Sequence, residues 1–584
     1  MAEKAKKKRI LVLCALPYTN AIPHVGNMAG SHLPADIFAR YCRLRGYETL
    51  FVGGTDENGT PTEVAALELK ATPRELTDAL YAVQKRIYDW FEISYDNFSR
   101  TSRPIHHRTT QEFFLRIYGK GFVSKGVLRM PYCEKDRLFL PDRYVEGTCP
   151  VCGYEHARGD QCEHCSSLLD SDQLINPRCK IDGSVPVFRD TKHLFLELGK
   201  LQSKLEKWIK SEKRWRRQVS SLALGWIKEG LKKRSITRDL KWGVPVPLDG
   251  YRDKVFYVWF DAPIGYISST REWAAKKGRP QAWKRFWLDD KAKIYNFLGK
   301  DNIPFHTIFW PGMLIAHGDY NLPYDVVGYQ FVNYEGDKFS KSRNWGIFCE
   351  RVVESELRPD VWRYYLTYLI PETKDSEFKW EDFESRVNNE LVANLGNFVH
   401  RTLTFAWNNF GGVVRTPKYG EREKNLEGRV DEQLNRVERC LDEVKLRDAL
   451  TGVLAIAGLG NEYFQSSEPW VLIKKDRESC EKVISFCLHL CRKLSVVLAP
   501  YTPEAAGRIA SMLGLREIPS WDEISTRKDE FHVLKPEILF KKLDETELER
   551  VRSVVTKSYD LKEIFAGRRT QSHGTSISSP PGSE

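Results

Sequence analysis

The pairs Cys149-Pro150-Val151-Cys152 and Cys162-Glu163-His164-Cys165 stand nine residues apart. Four thiolates at this spacing suit one tetrahedral zinc ion, and Pro150 and Gly153 suit the tight knuckle turn around it. Cys149, Cys152, Cys162 and Cys165 would fill the shell and leave no open position, so one structural Zn²⁺ is expected. Phosphate chemistry is suggested at two other places. Pro17-Tyr18-Thr19-Asn20-Ala21-Ile22-Pro23-His24-Val25-Gly26-Asn27 follows an apolar run and precedes a helical pattern. A helix start offers free N–H groups and a positive dipole end to an anion. Gly26 would let a flat ring lie against the backbone, and His24 can donate to phosphate oxygens. Far downstream, Lys338-Phe339-Ser340-Lys341-Ser342 follows Gly336-Asp337. Two lysines on such a Gly/Ser loop can close on a polyphosphate and offset charge as it shifts during transfer. Each motif alone also fits an ordinary surface loop.

These residues need elements to carry them. Residues 9–125 alternate strand and helix signals: a strand at 9–16, a helix around 28–46, a strand near 48–53 and a helix over 61–92. Residues 126–230 form an insertion with the cysteine pairs and a basic helical stretch. Strand patterns return within 231–335, at Val255–Phe260 and Ile294–Leu298. Two such halves around an insertion make one split, Rossmann-type parallel-sheet domain of the α/β class. Residues 336–384 hold the lysine loop, and 385–563 carry apolar residues at helical spacing, as in Leu391, Leu395, Phe398 and Val399. That pattern predicts an α-helical bundle. The Ser/Gly/Pro-rich stretch 564–584 reads as a disordered tail.

Composition narrows the class further. The 584 residues are 41% apolar, with 90 Lys and Arg against 79 Asp and Glu and a net charge of +11. A wholly disordered or collagenous chain is excluded. Residues 200–241 alone hold fourteen Lys/Arg against four Asp/Glu, interleaved with Trp208, Trp215 and Trp226. That stretch suits a polyanion such as RNA, and equally a solvated amphipathic helix. No apolar run is long enough to span a membrane, and the start lacks a secretory cleavage pattern. Thirteen cysteines, an odd number, then point to reduced thiols and a cytoplasmic location.

Taken together, the two phosphate motifs resemble those of the class I aminoacyl-tRNA synthetases. His24-Val25-Gly26-Asn27 is similar to the HIGH signature and Lys338–Ser342 to the KMSKS signature, roughly 315 residues apart on opposite halves. Asn27 replaces the second His and can still hydrogen-bond phosphate without a charge. Phe339 replaces Met and leaves the lysines untouched. Ala15–Tyr18, Tyr257–Tyr266 and Gly299–His306 further resemble the methionyl branch of that family, over about residues 9–550. The sister branches for Val, Ile and Leu carry a much larger editing insertion than this chain has room for. A non-catalytic tRNA-binding protein is disfavoured by intact His24, Asp56, Lys338 and Lys341.

The resemblance implies methionine, ATP with Mg²⁺, and tRNA(Met) as partners, for initiation and elongation; other synthetases or tRNA-binding cofactors are further candidates. It implies His24, Asn27, Lys338 and Lys341 as catalytic, and His24, Gly26, Asn27, Gly299, Asp301 and Lys341 as ATP-binding. Methionine would lie among Ala15, Leu16, Tyr18, Trp259, Ala262, Pro263, Tyr266, Phe305 and His306, with Asp56 receiving its ammonium. A long aromatic slot suits a flexible thioether. In the bundle, Asn394 and Trp470 match anticodon-reading positions; Phe398 stands where an Arg is frequent, and Arg401 could substitute. Residues 126–230 would be the connective insertion, 336–384 the KMSKS-like loop and stem-contact region, and 385–563 the anticodon-binding domain. Some family members carry two zinc knuckles. Here Cys133-x₂-Asp136 and Cys179-x₂-Asp182 occupy the flanking places, each with an Asp for one thiolate. They are read as an emptied second site, with Cys₂Asp₂ metal binding the alternative.

Overall fold

The computed structural model describes residues 8–159, 162, 164, 165, 167, 169, 171–339, 345–558, 560–563 and 565. Lys341 and, except for Phe565, the expected tail lie outside them.

The apolar run after Arg9 forms β1 (Arg9–Cys14), the centre of a five-stranded sheet with β2 (Glu48–Thr55), β3 (Asn97–Arg100), β4 (Ala292–Gly299) and β5 (Asp325–Tyr329). The order is β5-β4-β1-β2-β3, and every pairing is parallel. A strand covered on both faces has no polar side, which is why residues 10–14 read as continuous apolar sequence. Ile10, Val12 and Cys14 face one core with Phe38 and Tyr41. Leu11 and Leu13 face the other, with Phe256, Phe260 and Ile264. The chain leaves β1 towards β2 and β3 and later returns on its other side as β4 and β5. Strand order therefore reverses between β1 and β4, where an open parallel sheet leaves a crevice beyond its carboxyl ends.

Two local expectations need correction, and one open alternative is decided. The helix expected over 61–92 is two helices, Thr60–Glu68 and Pro73–Trp90. Pro73 has no N–H to continue the first, and Thr72 with Glu75 builds a capping box for the second. The strand expected through Phe260 is only Val255–Phe256, followed by a helical turn at Val258–Asp261. An apolar run of that length fits either element. The basic stretch forms helices Gln202–Ser211 and Arg217–Glu229, which cover the sheet with Leu205, Ile209, Val219, Ala223 and Ile227. Trp215 is buried with them, and Trp208 and Trp226 pack alongside, so these aromatics serve the core.

The insertion starts from a long antiparallel ribbon, Val123–Cys133 with Val187–Leu196. At its far end Val145–Thr148 pairs with Ala157–Arg158 and Ile175–Cys179. After the second half of the sheet, helix Pro359–Tyr368 leads to a bundle that includes Asn397–Phe410, Glu421–Asp442, Leu446–Ser467 and Arg477–Leu498.

One buried ion pair joins these parts. Arg363 Nη2 donates to Asp36 Oδ2 at 2.8 Å, with both side chains fully buried. The guanidinium also donates to the carbonyls of Phe91, Pro500 and Tyr501. Burial alone would raise the Asp36 pKa, but Arg40, Arg363 and the Ser94 hydrogen bonds hold it down to about 2. Removing Arg363 leaves Asp36 with the Arg40 guanidinium alone, 2.8 Å away, and strips the buried carbonyls of Phe91, Pro500 and Tyr501 of their donor. Arg363→Leu should therefore cost about 3–5 kcal/mol of stability in denaturant unfolding. A loss under about 1 kcal/mol would show the pair to be dispensable.

Candidate active site

Beyond the carboxyl ends of β1 and β4 lies a cavity of about 490 Å³. It is lined by Ala15, Leu16, Tyr18, His24, Gly26, Asn27, Asp56, Trp259, Ala262, Pro263, Tyr266, Gly299, Asp301, Phe305, His306 and Lys338. The fold thus brings together every residue expected at the catalytic, methionine and ATP positions apart from Lys341, which is not described.

The His24 turn is built by reciprocal capping. Asn27 N–H donates to His24 Nδ1 at 3.3 Å, and His24 N–H donates to Asn27 Oδ1 at 3.1 Å. With Nδ1 used as acceptor, a neutral His24 carries its proton on Nε2. The Asn27 amide nitrogen remains a donor. The ring of His24 stacks on Phe339, centroids 4.4 Å apart and planes within 2°. A Cβ on Gly26 would lie 2.9 Å from His24 Nδ1 and 3.3 Å from Phe339, so only glycine fits beneath this stack. The turn is anchored to β2: Asp56 N–H donates to Pro17 O and Thr19 N–H to Asp56 O.

The slot beside it is aromatic and almost free of charge. Trp259 meets Phe305 edge-on at 3.9 Å, and its Nε1–H donates to the Tyr18 hydroxyl at 3.3 Å. Burial lowers the His306 pKa to about 4, so the ring is neutral at pH 7. Its Nδ1–H donates to Asn302 O at 3.0 Å, and its Nε2 accepts the Tyr266 hydroxyl at 2.9 Å. Both polar tips are thereby satisfied, leaving their rings as walls.

Asp56 is the exception. Its side chain is buried, and Oδ1 has no hydrogen-bond partner among the described residues. Burial, then the nearby Asp261 carboxylate, pushes its pKa well above the ordinary carboxylate range. A buried unsatisfied carboxylate facing a cavity is costly unless a cation meets it. Asp301, which lines the same cavity, is likewise pushed up by burial.

Sequence reasoning missed His32, which lines the same cavity from a π-helical turn, Met28–His32. Its Nδ1 lies 2.6 Å from the Tyr95 hydroxyl and its Nε2 3.2 Å from that of Tyr88. Cys14 Sγ is 3.0 Å from the same Tyr95 hydroxyl. Burial lowers the His32 pKa to about 3, so it too is neutral. No local signal marks it, because both tyrosines lie more than fifty residues away in sequence.

Asn394 and Trp470 are not part of this cavity. Asn394 donates to Leu454 O at 3.0 Å and accepts from Asn461 at 3.1 Å. Trp470 is 39% exposed, whereas Phe398 is buried beneath Gly460. Arg401 lies 4.6 Å over the Phe464 ring, which is 6.4 Å from Trp470, so Arg401 stands on the Trp470 side of the bundle. In the insertion, Cys149 Sγ is 3.8 Å from Cys165 Sγ, and Cys152 Sγ is 3.6 Å from Cys162 Sγ. Zn–S bonds of about 2.3 Å set tetrahedral S···S edges of about 3.8 Å, so these four thiols fit zinc.

Residues 10–403 match the family profile described as tRNA synthetases class I (M). Residues 413–557 match that of the anticodon binding domain of methionyl tRNA ligase. The methionine–tRNA ligase of Pyrococcus furiosus is 42% identical over 95% of this chain and 80% of its own length. That of Aeropyrum pernix is 42% identical over 94% and 97%. Among solved structures, Mycobacterium tuberculosis methionyl-tRNA synthetase in complex with methionyl-adenylate superposes with a TM-score of 0.76. It is 25% identical and is covered over 99% of its length, against 91% of this chain. The sheet, the switch-point cavity and these matches define a class I tRNA synthetase. Within that class the chain belongs to the methionine–tRNA ligases.

Proposed function

We propose that the chain activates L-methionine with ATP, giving methionyl-adenylate and pyrophosphate, and passes the methionyl group to the terminal ribose of tRNA(Met) for initiation and elongation. The observation that carries this reading is the buried Asp56 carboxylate, whose Oδ1 has no partner among the described residues, opening into an aromatic slot beside a phosphate turn. Asp56 receives the ammonium. The side chain runs between Tyr18, Trp259, Tyr266, Phe305 and His306, whose neutral rings suit a thioether. The amino-acid carboxylate then lies towards His24 and Asn27, where the α-phosphate of ATP is attacked. Charge moves onto phosphate oxygens in that step. Nε2–H of His24, the Asn27 amide and the ammonium groups of Lys338 and Lys341 meet it, while Gly299 and Asp301 border the nucleotide. No side-chain nucleophile is required; rate comes from positioning and charge stabilisation. Mg²⁺ enters with ATP, and Cys149, Cys152, Cys162 and Cys165 hold structural zinc.

The stacked Phe339 covers one face of His24 and so keeps Lys338 and Phe339 beside the phosphate turn. In the bundle, the exposed face of Trp470 can stack on an anticodon base, with Arg401 at hand for phosphate or a base edge. Thirteen unpaired cysteines suit a reducing compartment, which supports a cytoplasmic location. No described helix is long and apolar enough to cross a membrane.

ATP–pyrophosphate exchange tests the assignment. It should depend on methionine and be weak with leucine, isoleucine or valine; preference for a branched amino acid would overturn it. The methionine KM should also carry a pH signature. Binding an ammonium needs the Asp56 carboxylate, whose pKa is raised in the free protein, so binding releases a proton. Affinity should rise with pH through that raised pKa and fall about tenfold per unit below it. Asp56→Asn should abolish the slope and weaken binding by ~1.5–3 kcal/mol. An unchanged slope would move the ammonium elsewhere.

The bundle needs a separate assay. Trp470→Ala should lower tRNA charging tenfold to a hundredfold, the loss of a stack worth ~1–3 kcal/mol, with exchange nearly intact. Parallel loss of both activities with a lowered melting temperature would make Trp470 a structural residue instead.

A further inference from the structure

The second knuckle has not lost its shape. Cys133, Asp136, Cys179 and Asp182 place one ligand atom each within 4.8 Å of one another, as do the four thiols of the first. Cys133 Sγ lies 3.5 Å from Asp136 Oδ2 and 3.8 Å from Asp182 Oδ2, and Cys179 Sγ lies 3.8 Å from Asp136 Oδ2. A tetrahedral zinc with sulfur at about 2.3 Å and oxygen at about 2.0–2.2 Å has S···O edges of about 3.5–3.7 Å. The cluster is close to that size.

The backbone supplies an internal control. At the first knuckle, Cys149 N–H donates to Tyr154 O, and Gly153 N–H donates back to Cys149 O. At the second, Cys179 N–H donates to Ser184 O and Gly183 N–H to Cys179 O, with the same offsets. Gly153 and Gly183 have φ of 75° and 74°. The corresponding residue after Cys133 is Arg137, held at φ 54°, where a non-glycine residue is strained. Asp136 N–H donates to Cys133 Sγ at 3.3 Å, much as Val151 N–H donates to Cys149 Sγ at 3.4 Å.

The surroundings aim the ligands inward. Cys133 and Cys179 are buried against Leu140 and Tyr144. Ser184 holds Asp182 Oδ1 through its N–H at 3.0 Å and its hydroxyl at 2.7 Å, which leaves Oδ2 facing Cys133. Outer-shell hydrogen bonds of this kind orient metal-ligating carboxylates. Lys135 Nζ, 3.6 Å from Asp182 Oδ2, is on a side chain 72% exposed and can swing clear.

We propose that Cys133, Asp136, Cys179 and Asp182 hold a second zinc ion, against the expectation of an emptied knuckle drawn from the sequence. Two carboxylates in place of soft thiolates make this ion the weaker and faster-exchanging of the two.

Metal analysis of the full chain purified from zinc-supplemented cells should give about two zinc per chain. Zinc-edge X-ray absorption should average about three sulfurs and one oxygen per ion, and a chelator should remove one ion well before the other. Asp136→Asn/Asp182→Asn should lower the content to about one, with all-sulfur coordination. One zinc per chain in the unaltered protein, bound only by sulfur, would overturn the proposal. Two zinc retained in the double variant would overturn it too, since the second ion would then lie elsewhere. Should the double variant fail to fold, stoichiometry and absorption of the unaltered protein decide the matter.

Discussion

Asp36 and Arg363 are fully buried, and the Asp36 carboxylate is shared between the Arg363 and Arg40 guanidinium groups, each at 2.8 Å. Their position explains why such a costly device is worth keeping. Asp36 belongs to helix Leu33–Leu44, which follows the His24 turn; Arg363 belongs to helix Pro359–Tyr368, which follows the Lys338 loop. His24 and Lys338 line the same cavity from segments far apart in the chain, and the pair fixes the helices behind them. Through the carbonyls of Pro500 and Tyr501, the same guanidinium fastens the helical bundle. The Asp36 contribution is complete above the ordinary aspartate range and is lost as pH falls through it towards 2. Acid should therefore loosen the joint and the site together.

Electrostatics within the cavity follow from one contrast. His32, His306 and Tyr266 are buried and, with the partly buried Tyr95, hydrogen-bonded in pairs and neutral. Asp56 is equally buried yet unsatisfied. A buried carboxylate with no partner at Oδ1 among the described residues, set among neutral rings, suits a cation joined to an apolar side chain, which describes a hydrophobic amino acid. Length and aromatic lining, more than charge, then separate methionine from its branched competitors, and such discrimination is limited to a few kcal/mol per methylene.

Much of the site was legible because its chemistry is local. Ala15–Asn27, Asp56 and Tyr257–Tyr266 are contiguous segments at strand ends, where residue type and turn signals coincide. The cysteine knuckle was legible by spacing alone. What escaped was set by tertiary contact. His32 gains its role from Tyr88 and Tyr95, and Phe339 from stacking on His24 across more than three hundred residues. The interleaved tryptophans of 200–241 fitted an RNA surface and an amphipathic helix equally, because composition cannot tell which face of a basic helix meets a sheet. The Asp residues of the second knuckle looked like losses because ligand type is visible in sequence, whereas the turn that aims the ligand is not.

Three π-helical segments, Met28–His32, Phe305–Phe309 and Val387–Gly396, mark where regular structure gives way to the needs of a site. An extra residue per turn weakens the helix and turns a side chain out of its usual direction. His32 thereby reaches Tyr88 and Tyr95, His306 reaches Tyr266, and Asn394 reaches Leu454 and Asn461. In each case a polar residue of the widened turn is satisfied by a different element, so the irregularity is held by tertiary bonds. The first two lie in the cavity. The third lies in the bundle, at the residue the family resemblance assigns to the anticodon. Local propensity would have favoured plain helix at all three; the cross-element hydrogen bonds outweigh it.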